Sequence, residues 1–269
     1  MEQAATHRVR NKCSARRLIL LCLAFVASIG PARADTYVVL SLVGDRLTIV
    51  TAERPIGTRI DRNRVEVRQL PDRGFDDFAV RVAGTAVEKA QPAATVTMLR
   101  ANDPSLYALR NSWLDTDAID VKALVALVTK LVSTAPDSRL LLIAPYRNEI
   151  ELKTERGYLG SGKYAGLGFY VDVYTSLQTG SSAMQPGGKD ITGFLGAFAN
   201  FQLLLIDVRT NSVDAHQSIV IGAAYPAADA PDGTPWNALS AARKAEVLQS
   251  LLQGEIERVV PGLLRPAKP

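Results

Sequence analysis

Apolar residues along the chain recur with two spacings, one typical of α-helices and one typical of β-strands. From Phe75 to Ala86 they return every three or four positions, which predicts an amphipathic helix. Asp103 directly before Pro104 is typical of a helix start, because the acid caps the helix and proline suits its first position. The predicted helices cover residues 74–90, 104–113, 121–132 and 237–260, the last ending at Pro261-Gly262.

The strand-like segments are shorter. Arg139 to Ala144 is almost continuously apolar, as expected for a central strand buried on both faces. Residues 36–50 are predicted to form a hairpin around Gly44-Asp45. Two longer strands near 201–208 and 218–221 are predicted to form a second hairpin. Further short strands are predicted at 65–67, 94–99, 150–152 and 169–173, and a loop of small residues at 179–189.

Helices and strands alternate in the first half of the chain, and strands dominate the second half before a closing helix. This order predicts an α/β fold: a three-layer domain with a mixed sheet, an N-terminal hairpin, a C-terminal hairpin and a closing helix. No linker long or polar enough to divide residues 35–269 is present, so we expect a single domain.

Residues 1–34 have the layout of a secretory signal peptide. A basic leader precedes the apolar run Leu18–Ile29, and Ala32-Arg33-Ala34 offers a cleavage site before Asp35. The run has 12 residues, fewer than the roughly 20 of a membrane span, so we expect no stable membrane anchor after cleavage. Cys22 lies inside the run without a small residue before it, which argues against lipidation. The expected location is the periplasm or the exterior.

Removing the leader changes the charge and the chemistry that the chain can offer. The leader holds six of the 31 basic and one of the 27 acidic residues, so the formal net charge changes from +4 to −1. A basic footprint for nucleic acid therefore does not survive cleavage. Both cysteines leave with the leader, and His216 is the one histidine that remains. We therefore expect neither a zinc site nor a disulfide, and no cofactor.

The segment Gly157–Lys163 matches the phosphate-loop spacing G-x-x-x-x-G-K. Tyr164 stands where that motif requires Ser or Thr, and Gly166 and Gly168 break any helix that would follow. Because a phosphate loop needs a helix N-terminus aimed at the anion, nucleotide binding is not expected.

The same glycine-rich segment, residues 157–168, has a second interpretation. Its glycines allow a mobile surface loop, on which Tyr158, Lys163 and Tyr164, with Tyr170 beyond it, could contact a partner or ligand. The alternative is a flexible connection whose tyrosines rest on the sheet. We name these four residues as candidate binding residues and name no catalytic or metal-binding residue.

A hydrolase is the main catalytic alternative. Asp214 and His216 alternate on one predicted strand face, which Ser212 and Ser218 share. No G-x-S-x-G turn is present to hold a serine nucleophile. Alternating polar residues on a strand also form an ordinary solvated face. A pair of catalytic carboxylates can be neither identified nor excluded among the 26 acidic residues that follow the leader.

Three segments carry a resemblance to known proteins: Gly166–Asp172 (G-L-G-F-Y-V-D), Leu42–Asp45 and Phe201–Asp207. Together they resemble a group of uncharacterised exported bacterial proteins, for which no activity is implied. The hairpin–helix–strand order also resembles periplasmic accessory domains of envelope-assembly lipoproteins. The missing lipidation site departs from that pattern.

The sequence thus favours a soluble exported protein that binds another envelope component without catalysis of its own. Two alternatives stay open, a hydrolase that uses carboxylates or His216 with a serine, and a small-ligand-binding protein. For the last, a crevice beyond the carboxyl ends of the sheet strands is the expected place.

Overall fold

The computed structural model describes residues 35–53, 63–116, 118–132, 137–154, 157–175 and 192–265. The predicted leader and the predicted loop at 179–189 lie outside these residues. The described strands are β1 Thr36–Ser41, β2 Arg46–Thr51, β3 Arg64–Gln69, β4 Thr95–Leu99, β5 Arg139–Pro145, β6 Arg147–Glu149, β7 Leu152–Thr154, β8 Gly157–Leu159, β9 Lys163–Asp172, β10 Phe194–Asp207 and β11 Ser212–Pro226. The described α-helices are α1 Gly74–Ala90, α2 Pro104–Thr116, α3 Val121–Leu131 and α4 Ala241–Leu263.

Strand β10 organises the sheet. On one side, β5 pairs antiparallel with residues 201–207 of β10, and β9 pairs antiparallel with residues 194–200. On the other side, β11 pairs with the whole length of β10. β5 and β9 therefore follow one another along β10 like two parts of one strand. Residues 146–165 connect these two parts, and we call them the arm.

Strands β1 and β2 also follow one another end to end, beside β5 and β9 and one strand further from β10. β1 pairs parallel with β5, and β2 pairs parallel with β9. Beyond them, β4 pairs parallel with β1 and β3 pairs antiparallel with β2. The short β7–β8 hairpin joins the outer side of β11 through a single residue pair, Ala223 with Lys153. The sheet is large and mixed, as predicted.

Helices lie on both faces of this sheet and give the predicted layers. On one face, α1 and α4 pack against the sheet through Ala83, Val87, Leu248 and Leu252. On the other face, α2 and α3 cover β1, β5 and the C-terminal half of β10. The N-terminal half of β10 carries a separate cluster on that second face, where the arm covers it. That cluster contains Val50, Ala52, Ile150, Leu152, Tyr170, Phe194 and Phe198.

The predicted hairpin over residues 36–50 is wrong in its pairing. Both strands form, but they run in the same direction and pair with β5 and β9. The physical reason lies at residues 42–45, where the backbone N–H groups of Val43 and Gly44 donate to the Asp76 carboxylate at 2.8 and 2.9 Å. Those groups therefore hold the chain against α1 instead of closing a turn. The N-terminal hairpin is formed by β2 and β3.

Helix α1 has the predicted bounds, and β3, β4 and β5 form close to the predicted positions. The closing helix differs at both ends. Residues Pro235–Ala238 form a 3₁₀ turn, and α4 begins only after Ser240, whose hydroxyl accepts from the Arg243 N–H. Pro261 does not end the helix but lies inside its last turn. A proline there removes one helical hydrogen bond near a helix end, where others are missing already.

The glycine-rich segment is wrong as a predicted loop, because most of it is strand. Residues 157–159 form β8, and Lys163 begins β9, which continues through Gly166 and Gly168. As predicted, no helix follows the lysine. Gly160 and Gly162 have φ of 100° and 91°, a left-handed backbone that glycine adopts most readily, and they allow the connection from β8 to β9.

None of the described helices is long and apolar enough to cross a membrane.

Candidate functional site

A crevice of about 410 Å³ opens beyond the carboxyl end of β5. It has an apolar wall and a polar rim, and we call it the Lys163 crevice. Its lining residues are Trp113, Leu114, Ile119, Pro145, Tyr146, Arg147, Lys163 and Gln202. A volume of this size is within the range of ligand pockets, about 300–1,000 Å³.

The chain builds this crevice from the end of an apolar strand. β5 is buried to its last residue, Pro145, so the next residues, Tyr146 and Arg147, emerge at its carboxyl end. β6 then pairs antiparallel with the start of β9, with Arg147 opposite Ala165 and Glu149 opposite Lys163. Directly opposed residues and residues two apart share one face of a strand pair. Arg147 and Lys163 are therefore diagonal neighbours on the same face.

Helix α2 supplies the opposite wall and holds one of the cations. Arg147 Nη2 donates to the backbone carbonyl of Leu114 at 2.9 Å. That carbonyl lies in the last turn of α2, where carbonyl groups lack helical partners and attract cations. The guanidinium is thus fixed beside the crevice. Lys163 is exposed and forms no ion pair with any described residue, including Glu149 opposite it.

Trp113 is the most buried polar residue of the lining. Its side chain is only 5% exposed, and its indole N–H has no hydrogen-bond partner among the described residues. A buried donor without a partner costs about 1–3 kcal/mol. An acceptor atom of a bound group in the crevice is one partner that would remove this cost.

The lining combines positive charge with apolar surface. It offers two cations and the amide of Gln202 beside apolar contacts from Leu114 and Ile119. The described lining residues include no carboxylate, imidazole, thiol or aliphatic hydroxyl. A carboxylate or phosphate group with a small apolar neighbour is the chemistry that such a lining recognises.

The structure separates the four residues that the sequence nominated. Tyr158 is 66% exposed on β8, and Lys163 lies in the crevice. Tyr164 is half-buried, with its ring 6.4 Å from that of Phe198. Tyr170 is 3% exposed and stacks on Phe194 in the core, so it is not available to a partner at the surface.

Tyr164 and Tyr170 instead join a polar network beneath the arm. The side-chain amide of Asn63 donates to the carbonyl of Ser161 at 2.9 Å and to Tyr164 Oη at 3.2 Å. The Ser161 hydroxyl lies 3.2 Å from Tyr170 Oη. These two tyrosines thus hold the arm to the sheet. A binding role stays a prediction for Tyr158 and Lys163.

The hydrolase constellation does not assemble around His216. β11 carries a bulge at Asp214, because Ala215 lies opposite Leu205 while Val213 already lies opposite Ile206. A bulge changes the alternation of side chains, so simple strand spacing does not describe how Asp214 and His216 are placed. Among the described residues, His216 makes no hydrogen bond with Asp214, Ser212 or Ser218. Asp214 instead lies 3.9 Å from Arg139.

A buried ion pair that the sequence did not single out holds the connection between β1 and β2. Arg110 is 1% exposed and donates to both carboxylate oxygens of Asp45, at 2.5 and 2.7 Å. Burial alone would raise the pKa of Asp45, but the hydrogen bonds and charge of Arg110 hold it below its usual range. Arg110 also donates to the carbonyl of Leu42 at 2.9 Å.

Asp76 is the second buried acid of this connection. Besides the two backbone donors, its carboxylate accepts from the Ser41 hydroxyl at 2.6 Å and from Tyr107 Oη at 2.7 Å. Burial raises the pKa of Asp76 despite these four donors. Burial, together with the charge of Asp76, also raises the pKa of Tyr107. Because the carboxylates of Asp45 and Asp76 both have partners and are closed to solvent, this cluster is structural.

Sequence reasoning identified only Lys163 among the residues of the crevice. A usable signal was present, since Tyr146 and Arg147 directly follow the most apolar strand of the chain. Polar residues at the carboxyl ends of strands in α/β sheets are frequent ligand contacts. Trp113 and Gln202 carry no such signal, because each belongs to an element that is amphipathic or buried for packing reasons.

Comparisons with known proteins name no activity. No protein-family model matches the chain, and no curated protein matches it. Among solved structures, it is similar to XCC0632 from Xanthomonas campestris, which carries the family designation DUF330, with 12% identity and a TM-score of 0.36 over 87% of this chain and 88% of that one. It is also similar to the hypothetical protein CT253 from Chlamydia trachomatis, with 10% identity and a TM-score of 0.31 over 84% and 98%. Both neighbours lack a described function, and likenesses this weak give no basis for assigning one.

Proposed function

We propose that this chain is an exported binding module of the cell envelope, without catalysis of its own. In this proposal the Lys163 crevice receives an acidic group of a partner protein, a side-chain carboxylate or a C-terminal carboxylate. The observation that carries the proposal is the pair of neighbouring cations, Arg147 and Lys163, at the mouth of a crevice with an apolar wall.

Charge and geometry support an acidic group over other ligands. Arg147 is held in place by the Leu114 carbonyl, so little side-chain freedom is lost when its remaining N–H groups bind a carboxylate. Lys163 adds a second positive charge on the same face. Tyr158, exposed on β8 of the same arm, is suited to an amphipathic contact with the same partner.

Photo-crosslinking in living cells tests the partner proposal. A photo-reactive amino acid in place of Tyr158 leaves both cations intact and is expected to give one discrete protein adduct. The same probe in place of Lys89, which is exposed on α1 in the opposite layer, serves as the control and is expected to give none. Arg147→Gln with Lys163→Gln should then abolish the Tyr158 adduct. An adduct that survives this double substitution would place the contact outside the crevice.

Export is tested separately, by fractionating cells and measuring the intact mass of the chain. A mass that begins at Asp35, in the periplasmic or external fraction, is the expected result. A chain found in the cytoplasm with residues 1–34 still attached would contradict the envelope location. The partner of the crevice would then have to be a cytoplasmic one.

A small anionic molecule is the second candidate, because the crevice volume suits one. Native mass spectrometry of the chain purified from its own host distinguishes it from a protein partner. A bound mass of a few hundred daltons that disappears in the Arg147→Gln, Lys163→Gln variant would favour the small ligand.

A further inference from the structure

A second and larger cavity, of about 760 Å³, lies at the other end of β5. The crevice follows the last residue of that strand, whereas this cavity includes its first residue, Arg139. We call it the arginine cavity. It is lined by Arg139, Leu205, Asp214, Ala215, His216, Gln217, Arg258, Val259, Gly262, Leu263 and Arg265.

The cavity carries an excess of positive charge. Three arginines line it against one carboxylate, Asp214, which lies 3.9 Å from Arg139. Arg258 also pairs with Glu255, whose carboxylate accepts from Arg258 Nε at 3.0 Å, so three arginines and two carboxylates leave these described residues with one excess positive charge. Arg258 lies in α4 and Arg265 follows its end, whereas Arg139 comes from a strand.

The floor of the cavity is apolar. Leu205 from β10 and Val259 and Leu263 from α4 are all buried members of the main core cluster. The bulge in β11 beside Leu205 turns Asp214 toward Arg139. The result is a cavity with guanidinium groups above a hydrocarbon surface, open along a stretch of β11 that pairs only with β10 among the described strands.

We propose that the arginine cavity binds an organic anion: a carboxylate, sulfonate or phosphate attached to an apolar body. The anionic group is held by Arg139 and Arg258, since guanidinium groups form charge-assisted, often bidentate, hydrogen bonds with such oxygens. The apolar body covers Leu205, Val259 and Leu263. This site is separate from the Lys163 crevice and does not depend on the function proposed for it.

Gly262 offers a way to fill the cavity without disturbing the fold. It lines the cavity, and a Cβ added there would meet no atom within 4 Å. A bulky side chain at this position therefore occupies the space of the proposed ligand. Because glycine is a poor helix former, Gly262→Phe is expected to leave the midpoint of thermal unfolding unchanged or slightly raised.

The test uses the fluorescent probe 1-anilinonaphthalene-8-sulfonate, an apolar body with one sulfonate, titrated into the purified chain. We expect Arg139→Gln with Arg258→Gln to raise the Kd of the probe at least about tenfold, since hydrogen bonds to charged groups are lost. Gly262→Phe should abolish the same binding without changing any charge. The matched control is Arg64→Gln with Arg81→Gln, which removes two exposed arginines that line neither the cavity nor the crevice and should leave the Kd unchanged.

Two results would overturn the proposal. One is an unchanged Kd in both the double arginine variant and Gly262→Phe. The other is equally tight binding of the uncharged analogue, N-phenyl-1-naphthylamine, which would show that the arginines contribute nothing. Gly262→Phe keeps the test decisive if the double arginine variant fails to fold, as judged by circular dichroism.

Discussion

The two halves of β10 show two ways of covering a sheet. In the helical half, residues 201–207 of β10 lie beside β5, β1 and β4, and helices pack on both faces. In the arm half, residues 194–200 lie beside β9, β2 and β3, and the arm covers the second face. Helices cover a sheet with periodic apolar stripes. The arm does so with a few apolar side chains and a polar clamp.

That clamp is Asn200, at the boundary between the two halves. It is fully buried, and its side-chain amide donates to the carbonyls of Tyr164 and Asn148 at 2.9 and 3.1 Å. The backbone carbonyl of Asn200 accepts from the Tyr146 N–H at 3.0 Å. The Asn200 side chain thus holds both the segment in which the arm leaves β5 and the segment in which it joins β9. In the helical half, the buried ion pair of Asp45 and Arg110 has the corresponding role, because it holds the connection between β1 and β2.

The largest effect is expected from breaking the ion pair of the helical half. Arg110→Met leaves the Asp45 carboxylate buried beside an apolar side chain, so the free energy of unfolding should fall by about 3–5 kcal/mol. Urea denaturation measures this loss. Arg110→Met combined with Asp45→Leu should recover most of it, because an apolar pair often replaces a buried ion pair at little cost. A double variant as unstable as the single one would show that Arg110 acts through other contacts.

The same ion pair gives a pH dependence of known sign. The pKa of Asp45 is lowered in the folded chain, so its stabilisation is present above the unfolded pKa of about 3.9. It is lost as the pH falls through the lower, folded pKa. Asp45→Asn should therefore lower the free energy of unfolding by about 3 kcal/mol at pH 7. Urea denaturation should show that the difference in the free energy of unfolding between Asp45→Asn and the unchanged chain is smaller below pH 4 than at pH 7. A difference independent of pH would contradict the assignment.

A smaller and more local effect is expected in the arm half. Asn200→Leu removes the amide that holds the arm, so the free energy of unfolding should fall by about 1–3 kcal/mol. Hydrogen exchange followed by mass spectrometry should show faster exchange in residues 146–154 and unchanged exchange in β5, because stability differs between regions of one fold. Faster exchange throughout the sheet would mean that the two halves unfold together.

The smallest effect is expected on α4, which packs beneath both halves. Gly254 lies exposed in the middle of the helix, and an added Cβ would meet no atom within 4 Å. Gly254→Ala should therefore stabilise the chain by about 0.5–1 kcal/mol, measured as a rise in Tm. Gly233 has equal space but a φ of +70°, so Gly233→Ala should lower Tm instead.

The sequence predicted the helical half better than the arm half, and the reasons are physical. Helix α1 depends on spacing within 17 residues, and β5 on a run of seven, so both are visible locally. The pairing of β1 depends on Asp76 and Arg110, which lie far away in the sequence. The strands of the arm depend on glycines whose left-handed backbone suits either a loop or a turn between strands.

The same distinction applies to the candidate sites. Lys163 was predicted as a contact residue of a surface loop that forms strand instead, while Arg147 and Trp113 reach the crevice through the pairing of β6 with β9 and the packing of α2. The bulge at Asp214 leaves no local sequence signal, because it arises where β10 and β11 slip by one residue. Tyr170 alternates like a surface residue, but the arm buries it.

The parallel pairing of β1 also determines when this protein can complete its fold. Tyr37 pairs with Arg139, and Ile49 pairs with Phe169, so each contact closes a loop of about 100 residues or more. Such long-range pairing slows folding, typically into the range of milliseconds to seconds. During synthesis, β1 and β2 can meet their outer partners β4 and β3 early, but their inner partners β5 and β9 are made only after more than half of the chain. A growing chain of this protein therefore remains without its central sheet, and available to chaperones, until late in translation.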